Sequence, residues 1–168
     1  MNFDHKQLLY ASVNVSPKLG IFRPRWGFYY KQQFFDTRKY GASKALSRPL
    51  LLCLLDNNFA LSEAMNAAIS LNAATPNADG FLMMKSNYSV DLRFDKSFAN
   101  RTWIIYLSAN DIFKTTKERW TMYGLGAGTT KDCYNYTRSI SLQVTYNFNA
   151  KRSKYKGTGA GNEEKSRL

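Results

Sequence analysis

The chain has 168 residues, a formal net charge of +12 at pH 7, 15% aromatic residues and a mildly polar mean hydropathy of −0.44. This length allows one domain of ordinary size. The longest apolar run, Leu50–Leu55, is far shorter than the roughly 18 to 20 residues of a membrane-spanning helix, which excludes a helical membrane protein.

Alternation of apolar and polar residues predicts four strands in the first half. Residues 9–15 are apolar at odd positions, and Trp26, Phe28, Tyr30 and Phe34 share one face opposite Lys31 and Gln33. Two less regular strands are predicted at about 46–59 and 65–75. In the first of these, both faces are apolar over Leu50–Leu55, so the sequence does not decide which face points where. In the second, Ala67, Ile69, Leu71 and Ala73 share a face.

Three more strands follow with cleaner alternation. Residues 88–98 place Tyr88, Val90, Leu92, Phe94 and Phe98 opposite polar and charged residues, and a tight turn at Ala99–Asn100 leads into a strand from Trp103. The last strand is predicted to span Tyr136–Phe148, with strict alternation and an aromatic at each end. The strand from Tyr88 to Phe98 is about 33 Å long. With a tilt of roughly 40° it spans the roughly 25 Å apolar band of an outer-membrane barrel and places an aromatic at each interface.

The connections between the seven strands alternate in length. Those near 17–24, 60–65 and 99–101 are short, and those near 36–47, 76–86 and 114–135 are long. Outer-membrane barrels have short periplasmic turns and long outer loops. The sequence therefore predicts an all-β fold, an antiparallel transmembrane β-barrel segment at residues 1–149. Seven is an odd number, so the barrel is expected to be incomplete.

The two termini are also informative. Met1–Lys6 lacks the basic start, apolar core and cleavage site of a secretory signal, which predicts the C-terminal piece of a longer receptor or a truncated reading frame. Residues 150–168 are rich in Lys, Gly, Ser and Glu, and we expect a flexible basic periplasmic tail.

Several phrases carry a family resemblance. The segments Tyr88–Phe98, Leu107–Phe113, Arg138–Phe148 and Gly157–Leu168 resemble the C-terminal end of the outer-membrane β-barrel proteins of the TonB-dependent-receptor-like type. The resemblance implies outer-membrane localisation and a 22-stranded barrel, plugged by an N-terminal domain and energised through TonB, that imports a scarce solute. The chain contains neither plug nor TonB-contacting segment. The implied partners are outer-membrane lipid, lipopolysaccharide, the barrel assembly machinery and, in the full-length parent, a plug domain and TonB.

Two sets of residues are candidates for function. Phe148, with Tyr146, resembles the C-terminal signal that the barrel assembly machinery recognises. Asp91, Arg93 and Asp95 share the polar face of one strand, where we expect them to face the lumen, either as a mutual charge ladder or in contact with the plug or solute.

The remaining residues predict no enzyme, cofactor or metal site. His5 is the only histidine, and Cys53 and Cys133 lack metal-ligand spacing and are not expected to pair. The glycine-rich runs 124–128 and 157–161 lack the phosphate-loop pattern and are predicted to be a flexible outer loop and part of the tail.

Two alternatives remain at this stage. The basic run 151–156, with an interleaved tyrosine, could bind nucleic acid, but an RNA-binding signature is missing and we expect no nucleic-acid partner. A small soluble barrel of the lipocalin type would show the same alternation with the apolar face turned inward. Strand length and the aromatics at both ends favour the membrane barrel.

Overall fold

The computed structural model describes residues 6–34, 36–42, 46–124 and 127–148, so the predicted tail at 150–168 lies outside the described residues. No helix in these ranges is long and apolar enough to cross a membrane. The elements are β1 (Gln7–Val15), β2 (Phe22–Phe34), a 3-10 turn (Thr37–Tyr40), β3 (Leu50–Ser62), β4 (Met65–Ala74), β5 (Asn77–Asp79), β6 (Leu82–Met84), β7 (Asn87–Phe98), β8 (Trp103–Asn110), β9 (Lys117–Gly124), β10 (Ala127–Tyr134) and β11 (Ser139–Tyr146).

Seven of these strands form one antiparallel sheet in chain order, β1-β2-β3-β4-β7-β8-β11. They are the seven strands that the alternation predicts, so the all-β fold is confirmed. Short turns join β1 to β2, β3 to β4 and β7 to β8 at one end of the sheet, the short-connection end. The longer connections all lie at the other end, the long-connection end.

The strand register assigns the two faces, because residues directly opposite each other in antiparallel strands share a face. Ser70 pairs with both Asp56 and Asp91, whereas Leu71 pairs with both Leu55 and Val90. One face is therefore polar and the other apolar. The apolar face carries many large exposed side chains, including Val13, Phe28, Leu51, Ile69, Tyr88, Leu92, Leu107, Ile140 and Leu142.

The same register resolves the strand whose sequence is apolar on both sides. Leu55 lies opposite Trp26, and Leu54 lies opposite Gly27 and Asn72. Leu51, Cys53 and Leu55 consequently belong to the apolar face, and Leu50, Leu52 and Leu54 to the polar face. The neighbouring strands, whose alternation is unambiguous, decide this orientation.

The predicted start of the last strand is wrong. The strand β11 begins at Ser139 and pairs with β8 as far as Tyr146. Tyr136 has a φ of 51°, which is left-handed backbone that a β-strand does not contain, and its side chain is 87% exposed. The aromatic at position 136 therefore does not mark the end of a wall strand.

The second and third long connections, predicted as plain connections, contain strands of their own. The hairpin β5–β6 and the hairpin β9–β10 join through β6 and β9 into a four-stranded outer sheet, in the order β10-β9-β6-β5. Gly124 and Gly128 belong to the β9–β10 hairpin, where they pair with Ala127 and Tyr123. The expectation of a flexible loop at 124–128 is therefore wrong for these strand ends. The missed signal is the alternation over Lys117–Gly124.

A buried glutamine ties the first long connection to the outer sheet. Gln33, at the end of β2, is 1% exposed, and its Nε2 donates to Leu46 O at 2.6 Å and to Gly80 O at 3.1 Å. Its Oε1 accepts from Gly80 N at 2.7 Å. Lys31 forms an ion pair with Asp79 at 2.8 Å on the same hairpin. These contacts hold the long connections together as a cap over the end of the wall.

Candidate lumen site and outer loops

The three charged residues Asp91, Arg93 and Asp95 all lie on the polar face of β7. They do not bind one another as a charge ladder. Asp91 Oδ1 accepts from the Asp111 backbone N–H at 2.7 Å, and Asp95 Oδ2 accepts from Asn66 Nδ2 at 2.8 Å. Each carboxylate is thus engaged by a different neighbour, and Arg93 reaches across β4 toward β3.

The residue that Arg93 reaches is Asp56, at the centre of a cluster that the sequence does not predict. Asp56 accepts hydrogen bonds from Arg25 Nη2 and, at 2.9 Å, from Ser70 Oγ, while Arg93 Nη2 lies 3.7 Å from Asp56 Oδ1. We call Arg25, Asp56, Ser70 and Arg93 the Asp56 cluster. The missed signal is the position of Asp56 two residues after Leu54, which becomes informative only once that leucine is assigned to the polar face.

A groove of about 510 Å³ runs along the polar face beside this cluster. Its lining includes Asn14 and Tyr29, and the Tyr29 hydroxyl donates to Asn14 Oδ1 at 2.9 Å. Gly27 permits this arrangement, because a Cβ there would lie 2.8 Å from Tyr29 Cε2 and 2.9 Å from Asn14 Oδ1. The groove thus presents hydroxyl, amide, carboxylate and guanidinium groups together. Such a surface can bind a polar solute or a polar protein segment.

Asp111 organises the outer end of β8. The residue is 2% exposed, and its backbone φ is 45°. Its carboxylate accepts from Thr137 Oγ1 at 2.6 Å, Thr115 N at 2.8 Å and Thr116 N at 3.3 Å. Burial acts to raise the pKa of Asp111, but these hydrogen bonds outweigh it and hold the pKa below its ordinary value. The ionised carboxylate therefore fastens the two ends of the third long connection to each other, and the backbone N–H of Asp111 donates to Asp91.

Glu118, in the outer sheet, is the centre of another group of charged and polar side chains. Lys131 Nζ donates to Glu118 Oε2 at 2.6 Å, with further donors from Trp120 Nε1 at 3.0 Å and Asn135 Nδ2 at 3.4 Å. These hydrogen bonds, with that of Lys131 the strongest, lower the pKa of Glu118 to about 2. Cys133 Sγ donates to Asn135 nearby, whereas Cys53 lies on the apolar face of β3, and both thiols are free.

Tyr146 and Phe148 lie at the short-connection end among other aromatics. The Tyr146 ring lies 4.5 Å from the Trp103 ring and 4.5 Å from that of Phe148, and Trp103 pairs with Phe98 across the β7–β8 hairpin. Phe148 is 82% exposed. The candidate assembly residues therefore form the exposed end of an aromatic cluster on the apolar face.

A seven-stranded antiparallel sheet with one apolar and one polar face, short turns at one end and a β-rich cap at the other defines a wall of the outer-membrane barrel class. The family model described as outer membrane protein beta-barrel family matches residues 1–146, and the chain belongs to this family. It is thus a protein of the outer membrane. No curated protein and no solved structure gave a significant match. The lipocalin-type alternative is set aside, because that class is not a membrane barrel.

Proposed function

We propose that the chain forms the C-terminal wall, part of the lumen and the outer loops of a TonB-dependent-receptor-like protein that takes up a solute. In this proposal the seven-stranded sheet is a portion of a larger barrel, plugged in its full-length parent by a separate domain and driven through TonB. The chain contributes structure and binding surface without catalysis. The barrel assembly machinery inserts it by way of Tyr146 and Phe148.

The observation that carries the proposal is the direction of the two edge strands. The strands β1 and β11 form the edges of the sheet, and both run from the long-connection end to the short-connection end. A spanning sheet must close, because unpaired backbone groups in lipid cost several kcal/mol each. Direct pairing of β1 with β11 would be parallel, whereas bacterial single-chain barrels are antiparallel throughout.

A second copy does not solve this closure problem. Copies inserted in the same orientation offer only edges that run in one direction, so every junction between them is again parallel. Antiparallel closure needs an odd number of further strands between β11 and β1. The first and the last of these strands must run from the short-connection end to the long-connection end. A larger single-chain barrel supplies them.

The polar face supports a role in recognition. The Asp56 cluster and the groove beside it place two guanidinium groups and two carboxylates, those of Asp56 and Asp91, where a barrel of this class faces its lumen. In the parent protein this surface would contact the plug or the passing solute. The cap of outer loops above it would form the entrance.

The size of the mature protein tests the closure argument. An antibody against the β9–β10 hairpin should detect, in outer membranes, a heat-modifiable band well above the 19.2 kDa of this chain. A heat-modifiable band at 19.2 kDa would instead mean that the chain closes a barrel without further strands.

Uptake measurements test the receptor role. We would measure the uptake of a panel of scarce nutrients. Deletion of the gene and treatment with a protonophore should each abolish the energised uptake of the same nutrient. Arg93→Gln on the polar face should lower that uptake at unchanged abundance, and Lys96→Gln, which removes one positive charge from the apolar face of the same strand, should not. Uptake that persists under the protonophore would identify a passive porin.

A further inference from the structure

The apolar face contains a depression where two small side chains lie between two aromatic ones. Phe28, Cys53, Ala73 and Tyr88 follow one another across β2, β3, β4 and β7 in a single row. With neighbouring strands about 4.8 Å apart, the two aromatic strands lie roughly 14 Å from each other. Phe28 is 46% and Tyr88 50% exposed, and Phe28 lines the cavity over the two small residues.

The adjoining rows close the depression on one side and leave it open on the other. Toward the short-connection end, the next row carries Leu55 and Leu71, whose larger side chains fill the same positions. Toward the long-connection end lie Leu51 and Thr75, where Thr75 Oγ1 accepts from Leu51 N at 2.9 Å. A cavity of about 410 Å³ lies here, lined mainly by apolar atoms, and Phe28, Leu51, Cys53, Ala73 and Thr75 are among its lining residues.

Two exposed cationic residues lie in chain segments next to the open end. Arg48 and Lys85 are both exposed, and the Arg48 carbonyl accepts from Ala78 N at 2.9 Å in the chain segment that follows Thr75. Lys85 precedes Ser86, which lines the cavity, and Arg119 Nη2 donates to the Ser86 carbonyl at 2.7 Å. Arg48 and Lys85 thus place positive charge on chain segments next to the cavity, at the long-connection end of the strands.

We propose that this depression binds lipopolysaccharide, with one acyl chain beside Phe28, over Cys53 and Ala73, and a phosphate of its lipid A headgroup at the lip near Arg48 and Lys85. The match has three parts: an apolar slot on the lipid-facing side, a position at the level of the outer leaflet, and at least two exposed cations where the phosphates of a glycolipid lie. The acyl chain of a zwitterionic phospholipid also fits the slot, but its headgroup has no net charge and is attracted less strongly to Arg48 and Lys85. The proposal rests on the outer-membrane family alone and is independent of the receptor role.

The two cysteines of the chain allow a test on the unaltered protein, because Cys53 lines the slot and Cys133 lies in the outer sheet. In one detergent, purified lipid A should slow alkylation of Cys53 by N-ethylmaleimide several-fold and leave Cys133 unchanged, as read by peptide mass spectrometry. The same amount of phosphatidylethanolamine should protect Cys53 much less. Equal protection by the two lipids, or none by lipid A, would overturn the proposal.

Matched variants give a second, independent measurement. Ala73→Phe fills the slot, while Ala67→Phe adds the same ring to the same face of β4 nearer the short-connection end. Native mass spectrometry should show at least about tenfold weaker lipid A binding for Ala73→Phe and none of this loss for Ala67→Phe. Arg48→Gln and Lys85→Gln should each weaken lipid A binding about fivefold. Equal binding by the two phenylalanine variants, both folded as judged by heat-modifiability, would show that lipid A does not use the slot.

Discussion

At the scale of single residues, buried polar side chains decide how the outer loops are held. Gln33 and Asp111 are each at most 2% exposed, and each bridges chain segments that are distant in sequence. A buried polar group that loses its hydrogen-bond partner lowers the free energy of unfolding by about 1 to 3 kcal/mol. The cap therefore depends on a few residues more than on a hydrophobic core.

The first prediction concerns Asp111→Asn. The amide keeps the shape of the side chain but loses the negative charge that accepts from Thr137 and from the N–H groups of Thr115 and Thr116. The free energy of opening the third long connection should therefore fall by about 1 to 3 kcal/mol. Trypsin added to intact cells should then cleave faster at Lys114 and Lys117. Asp132→Asn, which changes an exposed carboxylate of the outer sheet, is the control and should leave cleavage unchanged.

The pH dependence of the same loop follows from the lowered pKa of Asp111. A carboxyl group with a lowered folded-state pKa stabilises the fold fully above its unfolded pKa of about 3.9, and this contribution is lost as pH falls toward the folded value. Protection from an acid-tolerant protease should therefore persist from neutral pH to about pH 4 and decline only below it. A decline between pH 7 and 5 would assign the effect to another group.

At the scale of the strands, the register gives each side chain its face. Leu92 pairs with Ile69 and Ala109 on the apolar face, whereas Arg93 pairs with Ala68 and Ser108 on the polar face. A shift of one residue would exchange the two faces along the whole strand. A mid-bilayer arginine on the lipid side would cost roughly 2 to 4 kcal/mol, which opposes such a shift.

Spin labels at positions 92 and 93 test the orientation of β7. The label at 92 should be accessible to oxygen dissolved in lipid, and the label at 93 to a polar quencher in the lumen. Similar accessibility of the two positions would mean that the face assignment is wrong.

The aromatic cluster at the end of β11 carries a further prediction. Phe148 packs edge-on against Tyr146, which in turn contacts Trp103, so the ring extends the aromatic surface at the periplasmic interface. In the full-length parent, Phe148→Ala should lower outer-membrane abundance. Phe113→Ala removes a comparably exposed phenylalanine from the outer loops and should not. Unchanged abundance and heat-modifiability in Phe148→Ala would remove the assembly role.

At the scale of the whole molecule, the sheet and its cap place different demands on the chain. The wall has almost no buried core, because in lipid its apolar face is covered by acyl chains instead of by protein. The buried residues concentrate where the long connections meet, at Gln33, Thr37, Leu46 and Ala78. Packing in the conventional sense is therefore concentrated in the cap.

The last prediction concerns the C-terminal residues 150–168, whose composition supplies too little apolar surface to offset the entropy of ordering. Protease added to spheroplasts should trim the parent protein to a point near Asn149 and leave the barrel heat-modifiable. A protease-resistant tail, or loss of the barrel on trimming, would place this segment inside the lumen or in the wall.

The sequence by itself determined the seven wall strands, their antiparallel order and the two faces of most of them. This succeeds because period-two alternation is a local property and because lipid and water impose opposite demands on the two sides of each strand. It also determined the contrast between short and long connections. It placed Asp91, Arg93 and Asp95 on one face, which the register reproduces.

Only the tertiary structure decided the rest. The faces of Leu50–Leu55 depend on the neighbours with which β3 pairs, since that strand is apolar on both sides. The Asp56 cluster, the outer sheet and the bonds of Gln33 and Asp111 join residues that lie many positions apart, and alternation within one strand carries no information about such pairings. The slot at Cys53 and Ala73 arises in the same way, because four strands must lie side by side before two small residues become a cavity.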